Sequence, residues 1–190
     1  MVKQSKPKSS QVIFFEQQVF KELEKKVQEN SKALEFVSKH KVRIRFSPQK
    51  NSGARWTFLK NISLNSKSYS ISTTPDDPGL QSLVLHEIHH LQQGPLTALS
   101  VYGELDAWQV GFRFYQQHTG RPLREPLQKL LDIQLSWSRQ NLIYAKKLMK
   151  EYSPGYRIDW LPLYPIHHEI VWQLTHRNPE GLKDQTTDQR

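Results

Sequence analysis

Five consecutive residues, His86-Glu87-Ile88-His89-His90, hold the densest set of metal-binding and proton-transferring groups in this chain of 190 residues. On a helix, positions i and i+4 lie one turn apart on one face. His86 and His90 have that spacing, so their imidazoles can bind one metal ion, with zinc the usual choice. Glu87 lies about 100° further round the helix. A carboxylate there can act as general base on a water whose pKa the metal lowers. Val84, Ile88 and Leu91 fall on the opposite side, as a site helix packed on a core requires. His89 lies off the ligand face and reads as a residue that orients a ligand or faces solvent.

A catalytic zinc site takes a third protein ligand and keeps one position open. The downstream candidates are Glu104, Asp106, His118, His167, His168 and His176. Helical geometry favours Glu104. It is the one large residue on a strip of small ones, Thr97, Ser100, Ala107 and Gly111, which let two helices approach closely. Beside that strip runs an apolar stripe, Val101, Leu105, Trp108 and Phe112. A lone Glu in such a setting is costly unless it is paired or ligated. Asp106 falls on the far side, near Arg113, and reads as solvent-facing.

His86, Glu87 and His90, followed after the Gly94-Pro95 turn by a helix bearing Glu104-Leu105-Asp106-Ala107, resemble the zincin metallopeptidases. The likeness is to the gluzincin branch, whose third ligand is a Glu on the next helix, and to its minimal members. The resemblance implies that His86, His90 and Glu104 ligate Zn2+ and that Glu87 is the general base. It also implies hydrolysis of a peptide or protein substrate that adds as a strand along the sheet edge. Thirteen residues separate His90 from Glu104, fewer than in the large members. Trp108 stands where those members carry an Asp that orients a ligand His, so the partner of that His is open. Related enzymes stabilise the tetrahedral oxyanion with a His or Tyr, and His167 and His168 are candidates for that role.

The elements that would position these residues follow from periodicity. Val12, Phe15, Val19, Leu23, Val27, Leu34 and Val37 predict an amphipathic helix over 11–38, with Ser10 as its cap. Val42, Ile44 and Phe46 alternate with Lys41, Arg43 and Arg45, a half-buried strand. Trp56, Phe58 and Ile62, then Leu64, Tyr69 and Ile71, predict two further strands joined near 61–67. The Pro75–Gly79 stretch is a break. Helices are predicted over 80–92, 96–118 and 125–152, the last from Leu127, Leu130, Leu131, Leu135, Leu142 and Leu148. The aromatic, Pro-punctuated segment 154–177 reads as a strap over that last helix, or as a wall of a substrate cleft. The expected fold is α+β and zincin-like: an N-terminal helix, a small antiparallel or mixed sheet, an active-site helix, a Glu-bearing helix and a further C-terminal helix. Residues 1–10 read as a basic disordered arm, 11–177 as one domain and 178–190 as a polar tail.

Composition narrows the chemistry. The absence of Cys excludes disulfide scaffolds, Cys-based zinc ribbons, iron–sulfur sites and thiol catalysis. The apolar run Val12-Ile13-Phe14-Phe15 is too short for a signal-peptide core or a membrane span, so no membrane contact and a cytoplasmic location are expected. The net charge of +9 is uneven. Residues 1–50 hold twelve Lys/Arg against five Glu, whereas no Lys or Arg lies between Lys67 and Arg113. The basic N-terminal region could make a weak polyanion contact. A zinc metallopeptidase is therefore the leading expectation. A catalytically inactive zincin-like binding or regulatory module and a basic nucleic-acid-associated protein are the alternatives.

Overall fold

The computed structural model describes residues 9–26 and 31–175. The arm expected over 1–10 lies almost wholly outside the described residues, and the polar tail 178–190 wholly so. Where one helix was expected over 11–38, the described residues hold two, α1 (Ser9–Lys26) and α2 (Ser31–His40). Residues 27–30 between them are outside the description. Phe15, Val19 and Leu23 bury one face of α1 at helical spacing, as expected. Glu16 is buried with them. Its carboxylate accepts from the Ile44 backbone N–H at 2.6 Å and pairs with Arg43 at 2.8 Å, fixing α1 to the first strand.

The sheet has three strands, β1 (Arg43–Ser47), β2 (Ala54–Trp56) and β3 (Asn61–Asn65), in the order β1-β3-β2. It is mixed: β1 runs parallel to β3, and β2 runs antiparallel to it. The expected joint near 61–67 is instead the central strand, and Tyr69 and Ile71 lie outside any strand. The reason is local. Asn61, Ser63 and Asn65 look like turn residues, yet they face a covering loop rather than water. Gln49 donates to the Ser63 carbonyl at 2.6 Å, and Asn65 donates to the Ser52 carbonyl at 2.9 Å. These bonds satisfy buried polar groups that would otherwise destabilise the strand.

Next comes α3 (Pro78–Gln93), which carries the His pair. Asp77 caps it, accepting from Leu80 N–H at 2.7 Å, and Pro78 occupies the first helical position. Gly94, at φ +74°, ends it, a conformation that suits glycine. The helix expected over 96–118 is divided at Leu99-Ser100 into α4 (Pro95–Ala98) and α5 (Val101–Thr119). Ser100 supplies the new cap, its hydroxyl accepting from Gly103 N–H at 3.0 Å. The helix expected over 125–152 is likewise divided, into α6 (Glu125–Asp132) and α7 (Arg139–Tyr152). Ser138 caps the second piece. A 3-10 turn (Arg157–Trp160) and α8 (Ile166–Thr175) complete the described chain.

Two apolar clusters result. One gathers α1, α2, the sheet and one side of α3 around Leu23, Ile44, Ile62 and Ile88. The other gathers α5, α6, α7 and the tail around Leu105, Leu130, Leu142 and Ile158. The antiparallel α3–α5 pair is the seam between them. Gly111 makes the seam tight: a Cβ there would meet the Ser82 carbonyl at 3.0 Å and His86 Cβ at 3.4 Å. Ser82 spans the same gap, its hydroxyl donating to the Gly111 carbonyl at 2.8 Å.

Candidate metal centre

The close seam brings three donors together. His86 and His90 on α3 and Glu104 on α5 each offer a ligand atom, and these atoms all lie within 4.8 Å of one another. The two imidazoles approach through their Nε2 atoms at 3.0 Å. Glu104 Oε2 stands 3.4 Å from His90 Nε2 and 3.9 Å from His86 Nε2. That oxygen is buried and makes no hydrogen bond. A buried carboxylate oxygen that accepts no hydrogen bond is costly. A cation among the three groups would remove that cost, so the donor set fits a divalent ion such as zinc.

The protonation states are consistent with this. Burial opposes charge on His90, but the neighbouring Glu104 carboxylate outweighs it and raises the imidazole to about 9. His86 goes the other way, to about 3, because burial and then the adjacent His90 both oppose a second positive charge. Burial tends to raise Glu104 as well, yet the two imidazoles hold it below the usual carboxylate range. In the metal-free protein a proton on His90 thus occupies the place where a cation would sit.

Glu87 projects beside the pair into the cleft. It is almost fully buried, which raises it to about 7. A backbone hydrogen bond from Trp56 on β2 works against that rise and fixes the carboxylate's direction. A carboxylate with its pKa near neutrality can take up and release a proton under working conditions.

Beyond the three donors, Gln93 stands beside His90 where Trp108 does not. Its Oε1 accepts from His90 Nδ1 at 3.1 Å. Its Nε2 donates to the Gly103 carbonyl at 3.0 Å and to Asp106 at 2.9 Å. Asp106 also pairs with His89 at 2.6 Å. Asp106 is therefore not solvent-facing as expected: it is half-buried and joins His89 and Gln93 into the network behind His90. His89 joins that network through this one bond. Such outer partners fix the tautomer and direction of a ligand His.

Tyr156 belongs to the site, although its sequence context pointed only to a strap or a wall. Its phenol donates to Glu104 and accepts from Trp108, and burial raises its pKa well above the usual value. The segment does both jobs. Ile158 is buried against α7, while Tyr156 lines the cleft. His167 and His168 are placed elsewhere, on α8. His168 stacks on Trp137 at 4.2 Å, and neither His lines the cleft. His118 packs on Phe114 at the C-terminal end of α5.

The cleft measures about 580 Å³ and runs along the α3–α5 seam from His86 and Glu87. Trp108, Phe112 and Tyr115 of α5 line it, together with the loop before β2. Neither family models, curated proteins nor solved structures yield a match to this chain. Among the described residues, no helix is long and apolar enough to cross a membrane.

Proposed function

We propose that this protein is a zinc-dependent metallohydrolase with a zincin-like fold, most simply a peptidase. His86, His90 and Glu104 would hold the ion, and Glu87 would be the general base. One observation carries the reading: a buried, unbonded Glu104 oxygen faces two imidazoles across a helix seam, with a near-neutral carboxylate beside them in an open cleft. The order of helix, small mixed sheet, His-bearing helix and Glu-bearing helix supports it.

Zinc, when bound, supplies Lewis-acid polarisation of a carbonyl and lowers the pKa of water. The chain's own groups do the rest. Glu87 takes a proton from the attacking water onto its carboxylate and returns it to the nitrogen of the departing amine. Trp56 N–H keeps that carboxylate turned toward the cleft. Gln93 holds a proton on His90 Nδ1, which leaves Nε2 free to ligate once its own proton is lost. β2 is an edge strand packed beside α3, which suits a peptide laid along the sheet.

The test is zinc content together with hydrolysis of a quenched peptide library. The wild type should take up one zinc and cleave. Glu87→Gln should keep the zinc and lose activity by about 10²–10⁴-fold. A protein that binds no zinc when refolded with it sinks the proposal. Zinc binding without hydrolysis of any peptide would leave the non-catalytic binding module as the reading.

A further inference from the structure

The charged groups of the cleft are divided between its ends. Among its lining residues Glu87 is the one carboxylate, and it stands at the His86 end. At the other end the α5–α6 connection brings in Arg121 and Arg124. Both are exposed, and among the described residues neither guanidinium has an ion-pair or hydrogen-bond partner. The acid nearest in sequence, Glu125, is taken by Lys129 at 2.9 Å. Between the two ends lie aromatic rings, chiefly Trp108, Phe112 and Tyr115.

The helices set the scale. From Gly111, which packs against His86, to Thr119 at the end of α5 is eight residues, or about 12 Å of helix rise, and Arg121 follows two residues on. An extended peptide covers that span in three to four residues, at roughly 3.3 Å each. Unpaired guanidiniums at the edge of an apolar cleft are suited to hold a carboxylate, by two parallel hydrogen bonds if the geometry allows. A polynucleotide fits less well, because it would carry a phosphate at every step along a wall that offers rings and the Glu87 carboxylate.

We propose that the cleft selects peptides carrying a carboxylate roughly three to four residues from the scissile bond, with Arg121 and Arg124 as its receptor and apolar side chains between. This rests on the peptidase reading above. The carboxylate could be an Asp or Glu side chain or a free C-terminus, and the two sources are separable by experiment.

The experiment uses the zinc-loaded full chain and a peptide set in which Asp, Glu, Gln or Lys occupies each position within four residues of the cleaved bond. Each peptide is made as a free acid and as a C-terminal amide. An acidic residue at the favoured position should raise kcat/KM about tenfold over Gln, since each exposed ion pair is worth up to about fivefold. The preference should shrink in roughly 0.5 M salt. Arg121→Gln with Arg124→Gln should abolish it, and Arg121→Glu with Arg124→Glu should turn it toward Lys. A drop on amidation identifies the terminal carboxylate, and indifference to amidation identifies the side chain. Binding of the same peptides to zinc-loaded Glu87→Gln, read by anisotropy, gives the preference without turnover. Cleavage or binding with no charge preference, or a preference that survives both double variants, overturns this inference and leaves the peptidase reading standing. Stronger competition by a single-stranded oligonucleotide than by the acidic peptides overturns it too. Absence of any peptide hydrolysis overturns the peptidase reading, and the binding arm then decides the cleft's preference by itself.

Discussion

Replacing Glu104 by Gln keeps the side chain's size and removes its charge, so it isolates the carboxylate's role at the metal centre. A ligand that binds only the folded state at a hundred times its Kd stabilises that state by about 2.7 kcal/mol. In a chain of this size each kcal/mol moves Tm by about 2–4 °C. Zinc at that level should therefore raise the wild-type Tm by about 5–10 °C. Loss of an outer partner alone weakens metal binding about 10–100-fold, and loss of a ligand should reach at least the upper figure. At the same free zinc the variant then sits near its own Kd. It gains about 0.4 kcal/mol, or about 1 °C.

The metal-free comparison gives a second, independent magnitude. Glu104 Oε2 lies 3.4 Å from His90 Nε2 and keeps that imidazole protonated to about 9 instead of 6.5. A raised pKa of this kind stabilises fully below about pH 6.5, and the contribution is lost as pH rises through 9. At pH 7 it amounts to roughly 2–3 kcal/mol, part of which is offset because the variant no longer buries a carboxylate. Without zinc the variant should be about 1–3 kcal/mol less stable at pH 7, with the gap narrowing as pH rises toward 9 and nearly closed at pH 10. Scanning fluorimetry in chelator and in buffered zinc, at pH 7 and pH 10, measures both. Equal zinc-induced shifts in wild type and variant would refute the assignment of Glu104 as a ligand.

Other outcomes follow from the same geometry. Gln93→Leu should weaken zinc binding about 10–100-fold without unfolding the protein, measured against a competing chelator, because His90 Nδ1 loses its acceptor. Zinc binding at pH 8 should release close to one proton, read from the dependence of calorimetric enthalpy on buffer ionisation, because His90 with a pKa of about 9 must become neutral to ligate. Below that pH the apparent affinity should fall by about tenfold per unit. Gly103→Ala should destabilise by more than about 3 kcal/mol in denaturant unfolding, although Ala is the better helix former by about 1 kcal/mol, because its Cβ would meet the Thr97 carbonyl at 2.1 Å. Gly111→Ala, with its nearest contact at 3.0 Å, should cost less, about 1–2 kcal/mol, and weaken zinc binding by spreading the seam.

Helical spacing made the His86, Glu87 and His90 arrangement legible, because residues one turn apart need no knowledge of the rest of the fold. Glu104 was legible for a related reason: the small strip on its own helix marks where another helix must come close. What escaped the sequence depended on how elements meet. Asp106 lies on the solvent side of α5 when α5 is considered alone. The glycine at 111 lets α3 approach so closely that His89 and Gln93 reach across to it. The central strand was missed because its Asn and Ser residues are covered by Gln49 and the loop that follows, a non-local event. The divisions at Ser100 and Ser138 were hidden because an apolar period can run on past a capped restart. Tyr156 carried no signal for its role, since only the tertiary fold sets its phenol on Glu104.

Charge shows the same division between local and tertiary information, and it bears directly on function. The stretch with no Lys or Arg contains α3 and the part of α5 that faces it, so no Lys or Arg there competes for Glu104 or Glu87. A Lys or Arg beside Glu104 would hold the carboxylate permanently, whereas His90 can give up its proton to a divalent ion. The fold then brings two arginines from outside that stretch to the same cleft, on the α5–α6 connection rather than on either helix of the donor seam. Net charge counts these arginines together with the lysines of α1 and carries neither fact. The separation of an anionic donor set from a cationic far wall is what allows one cleft to attract a dication at one end and a carboxylate at the other.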